Sequence, residues 1–308
     1  MAAQPGVMAR YRGRFAPSPT GPLHFGSLVA AVGSYLDARA QGGEWLVRIE
    51  DVDEPRTVPG ASEGILRTLD GFGFEWDGDV LVQSRRLDRY HAALVQLQLD
   101  GDVYPCACSR SAIAAASSRP SVDGGLVYPG SCRNGLAEGK AARAWRLRVP
   151  DQEFCFVDRV QGEARQNLER EVGDFVLLRA DGQYAYQLAV VFDDAEQGVN
   201  TVVRGVDLLD STARQMWLQQ RLGLPTPSYA HLPVVVNAAG EKLSKQTKAA
   251  AVDPADGSAR LAAALQFLGH PVPKEIRCAP VAEFWLWAIA AWSMAKVPAV
   301  RAVFPGHD

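Results

Sequence analysis

The chain has 308 residues, 47% of them hydrophobic and 22% charged, with a mean hydropathy of −0.08. This is enough for one large domain or two smaller ones around a sizeable core, and no uncharged apolar run approaches the ~20 residues that span a bilayer. Net charge is −3, from 32 basic and 35 acidic residues, and the pI is near 6.0, which excludes non-specific coating of nucleic acid and confines any nucleic-acid contact to a local patch.

The N-terminal Met1 to Arg14 lacks the apolar core of a signal peptide. Five cysteines, an odd number in a large chain, argue against a secreted disulfide framework. The expectation is a soluble cytoplasmic protein.

In chain order, residues 1 to 9 read as an arm, and an α/β pattern runs from Gly13 to about Leu99. It contains a helix over Ser27 to Ala40, a strand over Trp45 to Ile49, a helix from Ser62 that Gly71 to Gly73 ends, and a helix over Leu87 to Leu99. Between about Gly101 and Tyr184 the texture changes. Cys, Gly, Pro and Ser cluster from Pro105 to Gly135, and strand-like pieces follow at Ala144 to Val149 and Phe154 to Val157. This reads as an insertion. A second α/β stretch begins with the apolar Tyr186 to Val191, continues through Thr201 to Val203, and reaches a helical Ser211 to Leu222. After Gly240 the chain is loop-like, then helical at Ser258 to Leu268 and Val281 to Ala295. The expected architecture is α/β: a Rossmann-like doubly wound sheet split by an insertion, with a small C-terminal helical region. The corresponding divisions are 1–100, 101–184, 185–240 and 241–308.

Two segments point to phosphate chemistry. In the first, Arg14 to Ser27 (RFAPSPTGPLHFGS), three prolines and two glycines fix a tight loop that runs into a helix. Amides at a helix start bind phosphate, His24 adds a donor, and Gly26 lets a nucleotide approach the backbone. A satisfied structural histidine is the alternative for His24 taken alone. In the second, Glu241 to Lys248 (EKLSKQTK), Lys242 and Lys245 can reach polyanionic phosphate from a loop; a solvated lysine-rich loop is the alternative. The run Arg133, Lys140, Arg143, Arg146, Arg148 contains one acid, Glu138, and reads either as an RNA-facing stripe or as a solvated strand face.

In this order on a split sheet, the two segments resemble the HIGH and KMSKS signatures of class I aminoacyl-tRNA synthetases. Ser27 replaces the second histidine of HIGH, and Lys242 to Gln246 (KLSKQ) departs from KMSKS at its second and fifth positions. Arg14 to Ser18, Arg48 to Asp53 (RIEDVD), and Tyr186 before Arg204 to Asp207 (RGVD) resemble the glutamyl branch of that class. Within it, the chain resembles the glutamyl-Q tRNA(Asp) synthetases, a family of short paralogues that lack the anticodon-binding domain and join glutamate to queuosine in the anticodon of tRNA(Asp). The resemblance spans about residues 10 to 250.

The resemblance implies a ligase that activates L-glutamate with ATP and Mg²⁺ and transfers it to tRNA(Asp) carrying queuosine, with no membrane and no obligate protein partner. Glutamate carries two carboxylates and one ammonium, so its pocket needs about two cations and one anion. Arg14 and Arg204 supply forked donors, Glu50 meets the ammonium, and Tyr186 adds a hydroxyl, with Ala16 and Ser18 of the same loop lining the pocket. Pro17, Thr20, His24, Gly26, Ser27 and Lys245 would hold ATP, with His24, Lys242 and Lys245 in catalytic roles. Alternatives are a truncated synthetase charging a tRNA 3′ end, a cofactor nucleotidyltransferase, and a non-catalytic RNA-binding paralogue. Joint presence of His24, Glu50, Tyr186, Arg204 and Lys245 weighs against the last.

Cys106, Cys108, Tyr128 and Cys132 resemble that family's zinc site. Three thiolates and an oxygen make a closed structural set. Tyrosine is an unusual fourth ligand and Cys-x-Cys a tight spacing, so reduced, half-buried cysteines are the alternative. Cys155 and Cys278 read as packing residues.

Overall fold

The structure, a computed structural model, describes residues 10–122, 124–237, 240–243 and 250–304. The chain opens with β1 (Arg12–Phe15), α1 (Phe25–Ala40), β2 (Glu44–Ile49), α2 (Ala61–Gly71), β3 (Leu81–Val82) and α3 (Leu87–Leu99). The three strands pair in the order β1–β2–β3, all parallel, with Arg12 opposite Glu44 and Arg48 opposite Leu81.

Next come β4 (Val103–Cys106), α4 (Arg110–Ala116), β5 (Ala144–Leu147), β6 (Glu153–Asp158), β7 (Gly162–Asn167), α5 (Leu168–Glu171) and β8 (Phe175–Leu178). Here pairing is antiparallel: a sheet β4–β5–β8 and a hairpin β6–β7. The parallel pattern returns with α6 (Tyr186–Glu196), β9 (Thr201–Gly205), α7 (Thr212–Leu222) and β10 (Ser228–Leu232). β9 pairs with β10 in parallel and lies beside β1, where Asn200 N donates to Arg12 O at 3.1 Å. The strands therefore run β3–β2–β1–β9–β10, and the chain reverses its direction of travel between β1 and β9. Doubly wound sheets bind ligands at that switch point.

The tail comprises β11 (Val234–Val235), α8 (Gly257–Phe267), α9 (Lys274–Arg277), α10 (Val281–Ala291) and β12 (Ala302–Val303), with β11 and β12 parallel. α1 is buried from Leu28 to Ala38 apart from Ala30, so it has no solvated face. It packs between β1 and β9 on one side and α8 and α10 on the other, as a helix apolar all round requires. Trp45 is fully buried, its indole donating to Ser34 Oγ at 3.0 Å. Its ring stacks with Phe74 at 5.5 Å, and Phe74 meets Trp285 of α10 at 4.9 Å, so the tail shares the first half's core.

Three features differ from the sequence reading. Cys155 and Cys278, read as packing residues, are both exposed. The expected helix to Ala295 stops at Ala291, because the Trp292 ring stacks on His270 at 4.6 Å and Ser293 N donates to His270 Nε2 at 3.0 Å. The basic run presents no single face: Arg146 turns inward, while Arg133 pairs with Asp174 at 2.6 Å. Among the described residues no helix is long and apolar enough to cross a membrane.

Candidate active site

A cavity of about 810 Å³ opens at the carboxyl ends of β1, β2, β9 and β10. The loop after β1 forms one wall. Its path is fixed by Gly21, whose φ of 141° disfavours any side chain, and by two backbone hydrogen bonds: Glu50 N donates to Pro17 O at 3.0 Å and Val58 N to Pro19 O at 2.9 Å. Ala16, Pro17, Ser18, Thr20, His24, Gly26 and Ser27 of this loop line the cavity.

His24 is the N-cap of α1. Its Nδ1 accepts from Ser27 N at 3.3 Å, and its Nε2 lies 3.2 Å from Ser27 Oγ. The amide of Ser27 is thus capped by the histidine side chain. A Cβ on Gly26 would sit 3.2 Å from the His24 ring, so glycine here also makes room for the cap itself.

The segment after β11 closes against this wall. Leu243 N donates to Val235 O at 2.8 Å, Val252 N donates to Leu23 O at 2.9 Å, and His24 bridges Ala251. Lys242 lines the cavity, but its Nζ is tied to Asp207 Oδ2 at 2.6 Å. Lys245 lies outside the described residues.

The opposite wall is charged. Arg14 is buried, and its Nε and Nη2 donate to Asp194 Oδ1 at 3.0 Å and Oδ2 at 3.4 Å, so its fork already grips a protein carboxylate. Arg48, wholly buried, donates through Nη2 to Asp194 at 2.6 Å and to Glu50 Oε1 at 3.3 Å. Burial tends to raise the Asp194 pKa, but Arg14 and Arg48 hold it below the ordinary carboxylate value. For Glu50 burial wins over the same two arginines, and its pKa is raised. A cation arriving beside Glu50 would complete its partnering.

Arg204 differs in kind. It is buried, yet all of its partners are uncharged: Nε donates to His231 Nε2 at 3.0 Å, Nη1 to Gln215 Oε1 at 2.8 Å, and Nη2 to Thr212 Oγ1 at 3.0 Å and Leu208 O at 3.2 Å. Among the described residues no carboxylate forms an ion pair with it, so it is not the surface ion pair that an arginine near a sheet edge suggests. Tyr186 lines the same wall, and burial raises its phenol pKa against the pull of Arg204. Arg14, Glu50 and Arg204 line the cavity, with Arg48 and Asp194 buried behind Arg14 and Glu50.

Every predicted substrate and nucleotide residue among the described residues therefore meets in one cavity. Sequence reasoning assigned no role to Asp194, Arg48, Gln215 or His231. A signal existed: Asp193 and Asp194 interrupt the apolar run of α6, and His231 interrupts an apolar strand.

The antiparallel segment from β4 to β8 holds a second cluster, none of whose members lines this cavity. The sulfurs of Cys106, Cys108 and Cys132 lie within 4.8 Å of one another. Tyr128 OH is 3.4 Å from Cys106 Sγ and 3.7 Å from Cys108 Sγ, and Cys108 and Cys132 sulfurs are 3.6 Å apart. A tetrahedral zinc with ~2.3 Å bonds to sulfur needs ligand separations of about 3.8 Å, so these donors fit one ion. Gly173 permits the approach: at φ 76° it lies where a Cβ would strike Tyr128 backbone at 2.7 Å. Arg146 donates to Cys106 Sγ at 3.3 Å and covers the Tyr128 ring at 3.8 Å, a cation beside the cluster.

The family model for tRNA synthetases class I (E and Q), catalytic domain, matches residues 10–260. The chain is 62% identical over 288 residues to the glutamyl-Q tRNA(Asp) synthetase of Dechloromonas aromatica, covering 94% of this chain and 96% of the relative. It is 59% identical over 291 residues to that of Chromobacterium violaceum, covering 94% and 96%. Among solved structures it resembles the glutamate tRNA ligase of Elizabethkingia meningosepticum in complex with its amino acid, at 26% identity and a TM-score of 0.77. The match covers 95% of this chain and 66% of that one. The fold is thus the α/β fold of the class I synthetases, and the chain belongs to the glutamyl-Q tRNA(Asp) synthetase family.

Proposed function

We propose that this protein activates L-glutamate with ATP as glutamyl-adenylate and transfers the glutamyl group to queuosine in tRNA(Asp). The observation that carries the amino-acid assignment is the buried Arg204 in the cavity wall, whose protein partners are all uncharged. Glutamate, with two carboxylates and one ammonium, bears a net negative charge complementary to that guanidinium. Arg204 takes a carboxylate, Glu50 the ammonium, and Tyr186 contributes its hydroxyl. Arg14 supports this wall by charge, because two of its donors already hold Asp194. Ala16 and Ser18 shape the near edge.

In the first step a glutamate α-carboxylate oxygen attacks the α-phosphorus of ATP, and the bond to the β-phosphate bridging oxygen breaks, releasing pyrophosphate. Positioning and charge neutralisation dominate such a step. The loop bearing Pro17, Thr20, Gly26 and Ser27 receives the nucleotide, with His24 holding the start of α1 in shape. Lys245 meets the departing phosphates, and Mg²⁺ bound with ATP would supply further charge neutralisation there. Lys242, paired with Asp207, is assigned to the same end of the cavity. In the second step a queuosine hydroxyl attacks the anhydride carbonyl, AMP leaves, and an ester forms. No protein nucleophile is required.

Residues 1–100 and 185–240 are proposed as the two halves of the catalytic domain, 101–184 as the insert and 241–308 as the loop and helical tail. One zinc held by Cys106, Cys108, Tyr128 and Cys132 would tie the insert's loops together as a closed structural site.

Amino-acid-dependent exchange of pyrophosphate into ATP tests the activation step across a panel of amino acids. Glutamate should support exchange without any tRNA, and glutamine should be strongly disfavoured, since a neutral amide leaves the buried charge of Arg204 uncompensated. Equal exchange with glutamine would overturn the assignment of Arg204.

A further inference from the structure

Behind Arg204, outside the cavity lining, lies a chain of hydrogen bonds with no role in the chemistry above. Asp158, at the end of β6, reaches out of the insert toward β10. Its Oδ1 accepts from the backbone N of Val160 at 3.0 Å, Gln161 at 2.9 Å and His231 at 3.1 Å. Its Oδ2 lies 2.6 Å from His231 Nδ1, and His231 Nε2 lies 3.0 Å from Arg204 Nε. All three side chains are buried, with His231 wholly so.

The partners leave one tautomer. A carboxylate only accepts, so Nδ1 carries the proton; a guanidinium only donates, so Nε2 offers a lone pair. We propose that Asp158 and His231 are a positioning pair for substrate selection. Asp158 fixes the imidazole tautomer, and the neutral imidazole aims Arg204 through an uncharged acceptor, so that the guanidinium is oriented without being neutralised. A carboxylate in the place of His231 would compete with the substrate for Arg204, and a protonated imidazole would push it away. The groups facing the ring are Asp158 from β6, Arg204 from β9, Asp207 from the turn after β9, Thr212 Oγ1 at 3.4 Å from α7, and Tyr229 stacked on its own strand at 6.1 Å. Burial lowers the imidazole pKa, Asp158 opposes this, and Arg204 lowers it further, leaving it below its ordinary value of 6.5. The ring is therefore neutral at physiological pH.

This inference rests on Arg204 binding a substrate carboxylate, and the test separates the two. His231→Gln can bring an amide oxygen to the level of Nε2 and accept from Arg204. His231→Asn reaches only to the level of Nδ1, satisfying Asp158 and leaving Arg204 Nε without its acceptor. Asp158→Asn can donate to Nδ1, driving the ring into the opposite tautomer with a proton aimed at Arg204. Pyrophosphate exchange gives KM for glutamate and for ATP and the preference for glutamate over glutamine, with thermal melts as a check on folding. His231→Asn and Asp158→Asn should raise the glutamate KM by about tenfold or more and erode the preference, with the ATP KM changed by less than about twofold. His231→Gln should recover most of the loss. Equal defects in His231→Gln and His231→Asn, or an unaltered glutamate KM in Asp158→Asn, overturn the positioning role. Should both histidine variants fail to fold, Asp158→Asn decides it. Absence of glutamate-dependent exchange in the parent protein would instead sink the functional reading.

Discussion

Arg14 Nε donates to Asp194 Oδ1 at 3.0 Å, across 180 residues of chain. Arg48 shares the same carboxylate oxygen at 2.6 Å, so one residue of α6 holds the ends of both β1 and β2. Asp194→Asn would leave two buried guanidiniums facing a neutral amide. Breaking a buried pair in this way costs about 3–5 kcal/mol. Urea unfolding should show a loss of that order together with impaired glutamate activation. A change below about 1 kcal/mol would mean the two halves are joined by other contacts.

Lys242 and Lys245 should be unequal. Lys242 is tied to Asp207, whereas Lys245 is assigned to the departing pyrophosphate. Lys245→Ala should lower the rate of adenylate formation by ~10²–10³, as removal of one preorganised charge donor does, with the fold intact. Near-normal single-turnover rates would return the segment to a solvated lysine-rich loop.

Much of this arrangement was legible in the sequence because it depends on local pattern. The RFAPSPTGPLHFGS run sets its own loop and helix start, and the periodic apolar residues of α1 and α3 mark their spans within about two residues. What escaped was set by tertiary pairing. Nothing near Arg14 announces Asp194, and nothing near Arg204 announces a histidine from β10 steered by an aspartate of the insert. The apolar Tyr186 to Val191 run is too short for periodicity to separate helix from strand; it is the start of α6. Arg146 reads as part of a basic stripe until β5 turns it onto Tyr128.

The cysteine cluster should carry zinc. Protein purified without added metal should contain about one equivalent by elemental analysis, Cys108→Ser should lose it, and chelation should lower the melting temperature, because structural zinc contributes folding energy directly. Less than about a tenth of an equivalent in folded, active protein would reject the site.

Acid should destabilise the fold before the carboxylates titrate. His270 is buried, with Nδ1 2.9 Å from Leu268 O and Nε2 accepting from Ser293 N at 3.0 Å, so it too must be neutral. Burial lowers its pKa against the Leu268 bond, and Lys296 lowers it further; the His231 pKa is lowered as well. Below about 6.5 the unfolded chain binds protons at these imidazoles that the folded chain refuses, so stability is full above that pH and falls as pH drops toward the lowered folded values. Glu50, with its raised pKa, acts in the opposite sense. Melting temperature should therefore decline between about pH 7 and 5.5, and less steeply in His270→Gln. Identical slopes would show that His270 does not titrate with unfolding.

Transfer of labelled glutamate to RNA tests the central claim most directly. Three substrates should be compared: tRNA(Asp) with queuosine, tRNA(Asp) without it, and tRNA(Glu). Capture of an exposed single-stranded base by shape and hydrogen bonds suits a site that reads one unusual nucleotide. Label should enter only queuosine-containing tRNA(Asp), with ATP required. Efficient charging of tRNA(Glu), or equal labelling of the two forms of tRNA(Asp), would contradict the account and favour a synthetase that charges a tRNA 3′ end.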